Sequence, residues 1–169
     1  MLSPEAINMS EELLFLELVS AFCENLDWRI HEVQKSDDKA TIKFETHIML
    51  PNLTAGTKGL RLEKSTMEGR SRMAYGTDRD STFFHFYIPT RFVYKSTDEI
   101  PRELLVSALE EHWLEGICRN AIVSHNRCVA IGACCTLHSA EIEQKVFMEA
   151  CGDMIRACIS LERECAHLP

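Results

Sequence analysis

The chain has 169 residues, of which 46% are hydrophobic and 8% aromatic, and its 18 basic and 26 acidic side chains give a net charge of −8. This is the length of one globular domain, long enough to bury a core without disulfide or metal, and the composition excludes a disordered polymer. An acidic surface repels phosphate, which argues against nucleic-acid or anionic-membrane binding, and no stretch approaches the roughly 20 apolar residues of a membrane-spanning helix.

The N-terminal stretch MLSPEAINMSEELLFLELVSAF has no basic region before its apolar part and is not read as a signal peptide. The expected compartment is the cytoplasm, and the eight cysteines are expected as reduced thiols rather than a disulfide framework.

Ser10 followed by Glu11 and Glu12 is a helix start, a hydroxyl cap with acids in the first turn. Leu14, Leu18, Phe22 and Leu26 follow at spacing four, and Leu13, Phe15, Leu16 and Val19 widen the apolar face, so a helix is predicted over about 10–26. Residues 28–33 alternate as a strand, 35–39 have turn chemistry, and TIKFETHIM alternates strictly, which predicts a hairpin with one wet face.

Residues 51–80 hold Pro51, Gly56, Gly59, Gly69 and Gly76, with six basic residues against four acids. They read as a loop-rich insertion in a single domain spanning 1–169, with short strands near 60–62 and 72–75. The functional alternative is an anion pocket or a contact for an acidic partner, using Arg70, Arg72 and Tyr75 with His85 and Tyr87 nearby. No glycine-rich nucleotide loop is present.

STFFHFYI (81–88) is strand-like, with Pro89 suited to a strand end, bulge or edge before RFVYK. A second helix is predicted from Thr97 to about 115, ended by Gly116. Residues 121–125 and 127–136 read as a hairpin around Asn126. A last amphipathic helix is expected from Ser139 to about 163.

The segment IGACCTLHS raises the question of a metal or redox site. On a strand, Cys128, Ala130, Gly132, Cys134 and Thr136 share one face, while Val129, Ile131, Ala133, Cys135 and Leu137 share the other. Adjacent Cys134 and Cys135 then point to opposite sides of the sheet and cannot jointly grip one ion. Cys135-x-x-His138 supplies one possible half of a zinc site, without a second half of similar spacing. No metal, cofactor or catalytic residue is assigned. A thiol-based sensor remains open and requires one cysteine of unusually low pKa.

The order read from the sequence is α-β-β-β-α-β-β-α, an α+β fold with an antiparallel sheet covered by helices. With IPRELLVSALEEHW, RNAIVSHNRCVAIGACCTL and AEIEQKVFMEACGDMIRACISLE in succession, the chain resembles the class I type III secretion chaperones and the YbjN-like family of sensory-transduction regulators over about 10–50 and 81–163. The resemblance implies a non-enzymatic, chaperone-like or regulatory protein-binding module that acts as a homodimer and takes a protein client. The apolar surplus of the first helix, at Leu14, Phe15, Leu18 and Phe22, is the expected partner surface. The simpler alternative is that the first and last helices both pack on one large curved sheet.

Overall fold

The computed structural model describes residues 11–36, 39–51, 60–74, 81–110, 118–139 and 142–169, and in these the alternating and helical patterns of the sequence become regular elements. They run α1 (Glu11–Asn25), β1 (Arg29–Ser36), β2 (Lys39–Pro51), β3 (Leu60–Ala74), β4 (Ser81–Tyr94), a single 3-10 turn (Thr97–Glu99), α2 (Arg102–Glu110), β5 (Cys118–His125), β6 (Cys128–His138) and α3 (Gln144–Glu164). The six strands form one antiparallel sheet in the order β1-β2-β3-β4-β6-β5. The α+β class holds, with one strand more than the sequence order anticipated.

That strand is β3, which corrects the reading of 51–80 over residues 60–74, where one long strand replaces two short ones; 52–59 and 75–80 lie outside the described residues. Its fifteen residues pair along β2 from Pro51↔Leu60 to Thr41↔Arg70 and along β4 from Glu68↔Tyr87 to Ala74↔Ser81. On its helix-facing side Met67 is buried in the core, while Ser65 and Gly69 are small where larger neighbours crowd them. A Cβ added to Gly69 would lie 2.7 Å from the Phe86 ring and 3.3 Å from that of Phe15, and the buried Thr46 hydroxyl donates to Ser65 O at 3.1 Å.

Of two expected helix limits, one is outside the described residues and the other differs. The described part of α2 ends at Glu110, and the expected stop at Gly116 lies outside the described residues. The last helix begins at Gln144 with Glu143 extended as its N-cap, rather than at Ser139, where β6 has just ended.

The three described α-helices lie on one face of the sheet. Phe15, Val19, Phe22 and Cys23 of α1, together with Phe147, Cys151, Met154 and Cys158 of α3, cover Ile42 and Phe44 of β2, Met67 of β3, Phe84 and Phe86 of β4 and Cys135 of β6 in one continuous core. A smaller core joins Phe92, Ile100, Leu104, Ile131 and Leu161 where α2 meets the end of α3. So α1 and α3 share one sheet, and most of the apolar width of α1 is used within the chain.

Backbone details fix how the ends meet. Asp27 takes the left-handed conformation (φ 57°) after α1, and Trp28 N–H donates to Cys23 O at 2.8 Å, which closes the helix end and turns the Trp28 ring onto Phe44 (6.1 Å, 5° between planes). Asn126 (φ 47°) and Arg127 (φ 64°) make the two-residue turn of the β5–β6 hairpin, the twist that such hairpins favour. Pro89 sits where the β4–β6 register shifts, up to Val93. There the Thr90 hydroxyl donates to Ile131 O at 2.6 Å and accepts the Phe92 N–H at 3.2 Å, and Gly132 lets β6 approach so closely that a Cβ would be 2.3 Å from Ile88 O.

Candidate functional site

The other face of the sheet carries no helix among the described residues. One row crosses all six strands on it: Glu32, Lys43, Glu68, Tyr87, Cys134 and Arg119, each opposite the next in register. Near its middle, Tyr87, Val123, Ala130 and Cys134 are buried together although no helix among the described residues covers them. They can be buried because the sheet curls at the Pro89 bulge. Lys43 on β2 and His125 with Asn126 beyond β5 line the same cleft of about 170 Å³, whereas a flat sheet would hold β2 and β5 roughly 19 Å apart, four strand spacings. The bare face is therefore concave.

Charge is interleaved on this face. The Arg70 guanidinium stacks over Tyr87 at 4.8 Å from the ring centroid and lies 3.8 Å from Glu68 Oε1, while its buried Nε has no hydrogen-bond partner among the described residues. Lys43 Nζ is 3.5 Å from Glu32. Burial first, then the hydrogen bond to Glu68, pushes Tyr87 up to about 12, so it keeps its proton and donates to that carboxylate. His85 Nδ1 lies 2.9 Å from Thr136 Oγ1. Further along, Glu45 faces His47 Nε2 at 2.9 Å and His31 Nε2 at 3.6 Å, and the His47 hydrogen bond holds its carboxyl below the usual glutamate range.

The residues of the anion alternative thus converge in part. Arg70, His85 and Tyr87 meet across β3 and β4, with Arg70 directly opposite His85. Arg72 lies two residues further along β3, opposite Phe83. The side chain of Arg72, and Tyr75 altogether, lie outside the described residues. The surface expected on α1 is divided: Phe15 is 0% and Phe22 8% exposed within the chain's own core, leaving Leu14 and Leu18 half-buried at its margin.

The second cleft lies on the helix side and was not foreseen in the sequence. It has a volume of about 420 Å³ and is bounded by Leu26 and Trp28 after α1, His47, Ile48 and Met49 at the end of β2, and Met148, Glu149, Gly152, Asp153 and Arg156 of α3. Met49 and Met148 are 54% and 40% exposed. Its signals in the sequence were a methionine closing the wet face of TIKFETHIM and a glycine inside the last helix, and each means little until the fold brings them together.

The thiols lie as the strand period requires. Cys135 is buried in the main core opposite Cys118 of β5, and Cys134 is buried on the bare face beside Tyr87. All eight cysteines are free thiols, and Cys128 alone is not buried. Burial pushes Cys23 and Cys118 up to about 12 and raises Cys135, Cys151 and Cys158 further, so these five are poor nucleophiles at neutral pH. Among the described residues, no group of three or more His, Cys, Asp or Glu is placed to hold a metal ion, and no helix is long and apolar enough to cross a membrane. Comparison with protein-family models, curated proteins and solved structures finds no match to this chain.

Proposed function

We propose that the protein is a non-enzymatic binding module for polypeptide, chaperone-like or regulatory, that acts as a homodimer in the cytoplasm and is kin to the secretion chaperones and YbjN-like regulators. The observation that carries the reading is the half-open cleft floored by Leu26, Trp28 and Ile48 and walled by the exposed Met49 and Met148, since apolar surface of this kind is ordinarily kept for a partner. The homodimer is supported by an unguarded sheet edge. β5 pairs without irregularity and exposes Ile122 at 47%, whereas the opposite edge, β1, is interrupted between Ile30 and Glu32, a usual protection against strand addition. Seven buried free thiols suit a reducing compartment.

Panning a random dodecamer peptide library on the immobilised protein tests the first part. A consensus that rises above background and binds in solution is expected; a library that yields no binder removes the reading. Sedimentation velocity across a hundredfold range of concentration tests the second. A mass approaching twice 19.3 kDa is expected, and Ile122→Lys should return it to the monomer value. A fixed mass of 19.3 kDa sinks the dimer.

A second reading, a small-anion site on the bare face, is favoured by the buried Arg70 Nε, which lacks a partner among the described residues. It expects sulfate or citrate to raise the melting temperature and Arg70→Ala to abolish that shift. An unmoved melting temperature across a broad set of anions leaves it unsupported.

A further inference from the structure

Resting on the polypeptide-binding reading, we propose that the cleft between α1, β2 and α3 takes a basic segment of another protein, one presenting two large apolar side chains flanked by lysine or arginine. The capacity follows from size. An apolar cavity of about 150 Å³ holds a benzene ring, so about 420 Å³ accommodates two ring-sized side chains with space for the backbone between them. Met49 and Met148 are unbranched and soft, and can fit side chains of different shape.

Gly152 shows that this volume is kept open. It lies inside α3, where glycine is costly relative to alanine, yet packing makes no demand for it. A Cβ added there would have nothing nearer than 4.0 Å, at Ile48 Cγ2 and Arg156 Nη1, which is ordinary contact. The backbone also does not require glycine at this position, since no left-handed φ occurs there. The missing methyl group faces the cleft, and its absence leaves room where an occupant would lie.

The sign of the occupant follows from the rim. Glu149 and Asp153 stand against Arg156, a balance of −1. Arg156 Nη1 is engaged by Asp153 Oδ1 at 3.1 Å, so Glu149 is left as an acid without a partner among the described residues. In the chain around Leu26 and Trp28, Glu24 and Asp27 stand against Arg29, again a balance of −1, and the whole protein carries −8. A second copy of the chain would bring the same acids against each other, whereas a basic segment is attracted.

The test uses two fluorescein-labelled peptides, GKFLKKFLKG and GEFLEEFLEG, titrated against the wild-type protein and followed by anisotropy. The basic peptide should bind at least tenfold more tightly at low salt, and the preference should shrink in high salt and in Glu149→Lys. Gly152→Ala should raise the melting temperature while weakening the basic peptide about tenfold, because it fills the cleft without straining the helix. Met49→Ser with Met148→Ser should weaken it similarly. Equal binding of the two peptides overturns the charge argument. Basic-peptide affinity unchanged by both Gly152→Ala and the methionine pair overturns the location and leaves polypeptide binding elsewhere intact. Loss of the concentration-dependent mass in the methionine pair assigns the cleft to a second copy and overturns the proposal. If neither peptide binds but library panning returns binders, only the occupant chemistry falls; if both fail, the underlying reading falls with it.

Discussion

Phe147 is where the last helix meets both α1 and the sheet in the main core, and its removal should cost more than any other single truncation of comparable size. The ring is fully buried and lies 5.2 Å from Phe22, 5.7 Å from Trp28, 5.6 Å from Phe44 and 5.3 Å from Phe86, centroid to centroid. Core Phe→Ala changes cost about 3–5 kcal/mol through lost burial and the cavity left behind. Each aromatic pair adds roughly 0.5–1.5 kcal/mol, though such terms do not sum for neighbours. Phe147→Ala is therefore expected near the upper limit, about 5 kcal/mol, against a total stability of about 5–15 kcal/mol. Phe147→Leu keeps most of the volume and should cost about 1–2 kcal/mol. Urea titration followed by far-ultraviolet circular dichroism reads both, and at a slope of about 1–3 kcal/mol per molar the alanine variant shifts its midpoint by roughly 2 M or more. A loss below about 2 kcal/mol for Phe147→Ala, or equal losses for the two variants, would refute the view of this ring as the junction of the core.

The remaining predictions concern chemistry and curvature. With a disulfide exchange reagent at pH 8, one thiol of the native protein should react rapidly, and Cys128→Ser should remove that phase; a fast phase surviving in Cys128→Ser contradicts the burial of the other seven. Gly132→Ala places a Cβ 2.3 Å from Ile88 O, so β4 and β6 must part. A loss of about 1–3 kcal/mol in urea titration is expected, and wild-type stability would mean the strands are not locked at the bulge. Because the folded Glu45 carboxyl sits below its ordinary range, it contributes stability above the unfolded glutamate pKa of about 4.3, and this is lost as pH falls through the lower folded value. Glu45→Gln should therefore flatten the acid limb of the stability profile; an acid limb as steep as wild type argues that Glu45 is not engaged.

Periodicity made much of the fold legible. The alternation of TIKFETHIM, the helical run of α1 and the opposed faces of Cys134 and Cys135 all depend on local geometry and are as the sequence predicts, although the buried face of α1 centres on Phe15, Val19 and Phe22 rather than on Leu14 and Leu18. β3 was illegible for a physical reason. Phe86 packs over Gly69 and Thr46 bonds to the backbone of Ser65, so Met67 is the one large apolar residue that β3 gives to the main core among the described residues, and the segment reads as a glycine-containing loop. Both clefts were hidden for a different reason. The Tyr87 cleft needs the sheet to curl, and the cleft beside Trp28 needs three elements that are remote in sequence. Neither arrangement leaves a local pattern.

The placement of α3 has a consequence for biosynthesis. β1 to β4 pair with their immediate neighbours in sequence and can zip together early, but Phe44, Phe84 and Phe86 then await Phe147, which belongs to the last of the described elements to leave the ribosome. From the synthesis of Phe86 to that of Phe147 the nascent chain holds an aromatic sheet surface only partly shielded by α1. Expression yield and inclusion-body formation should be governed more by that interval than by the stability of the finished protein.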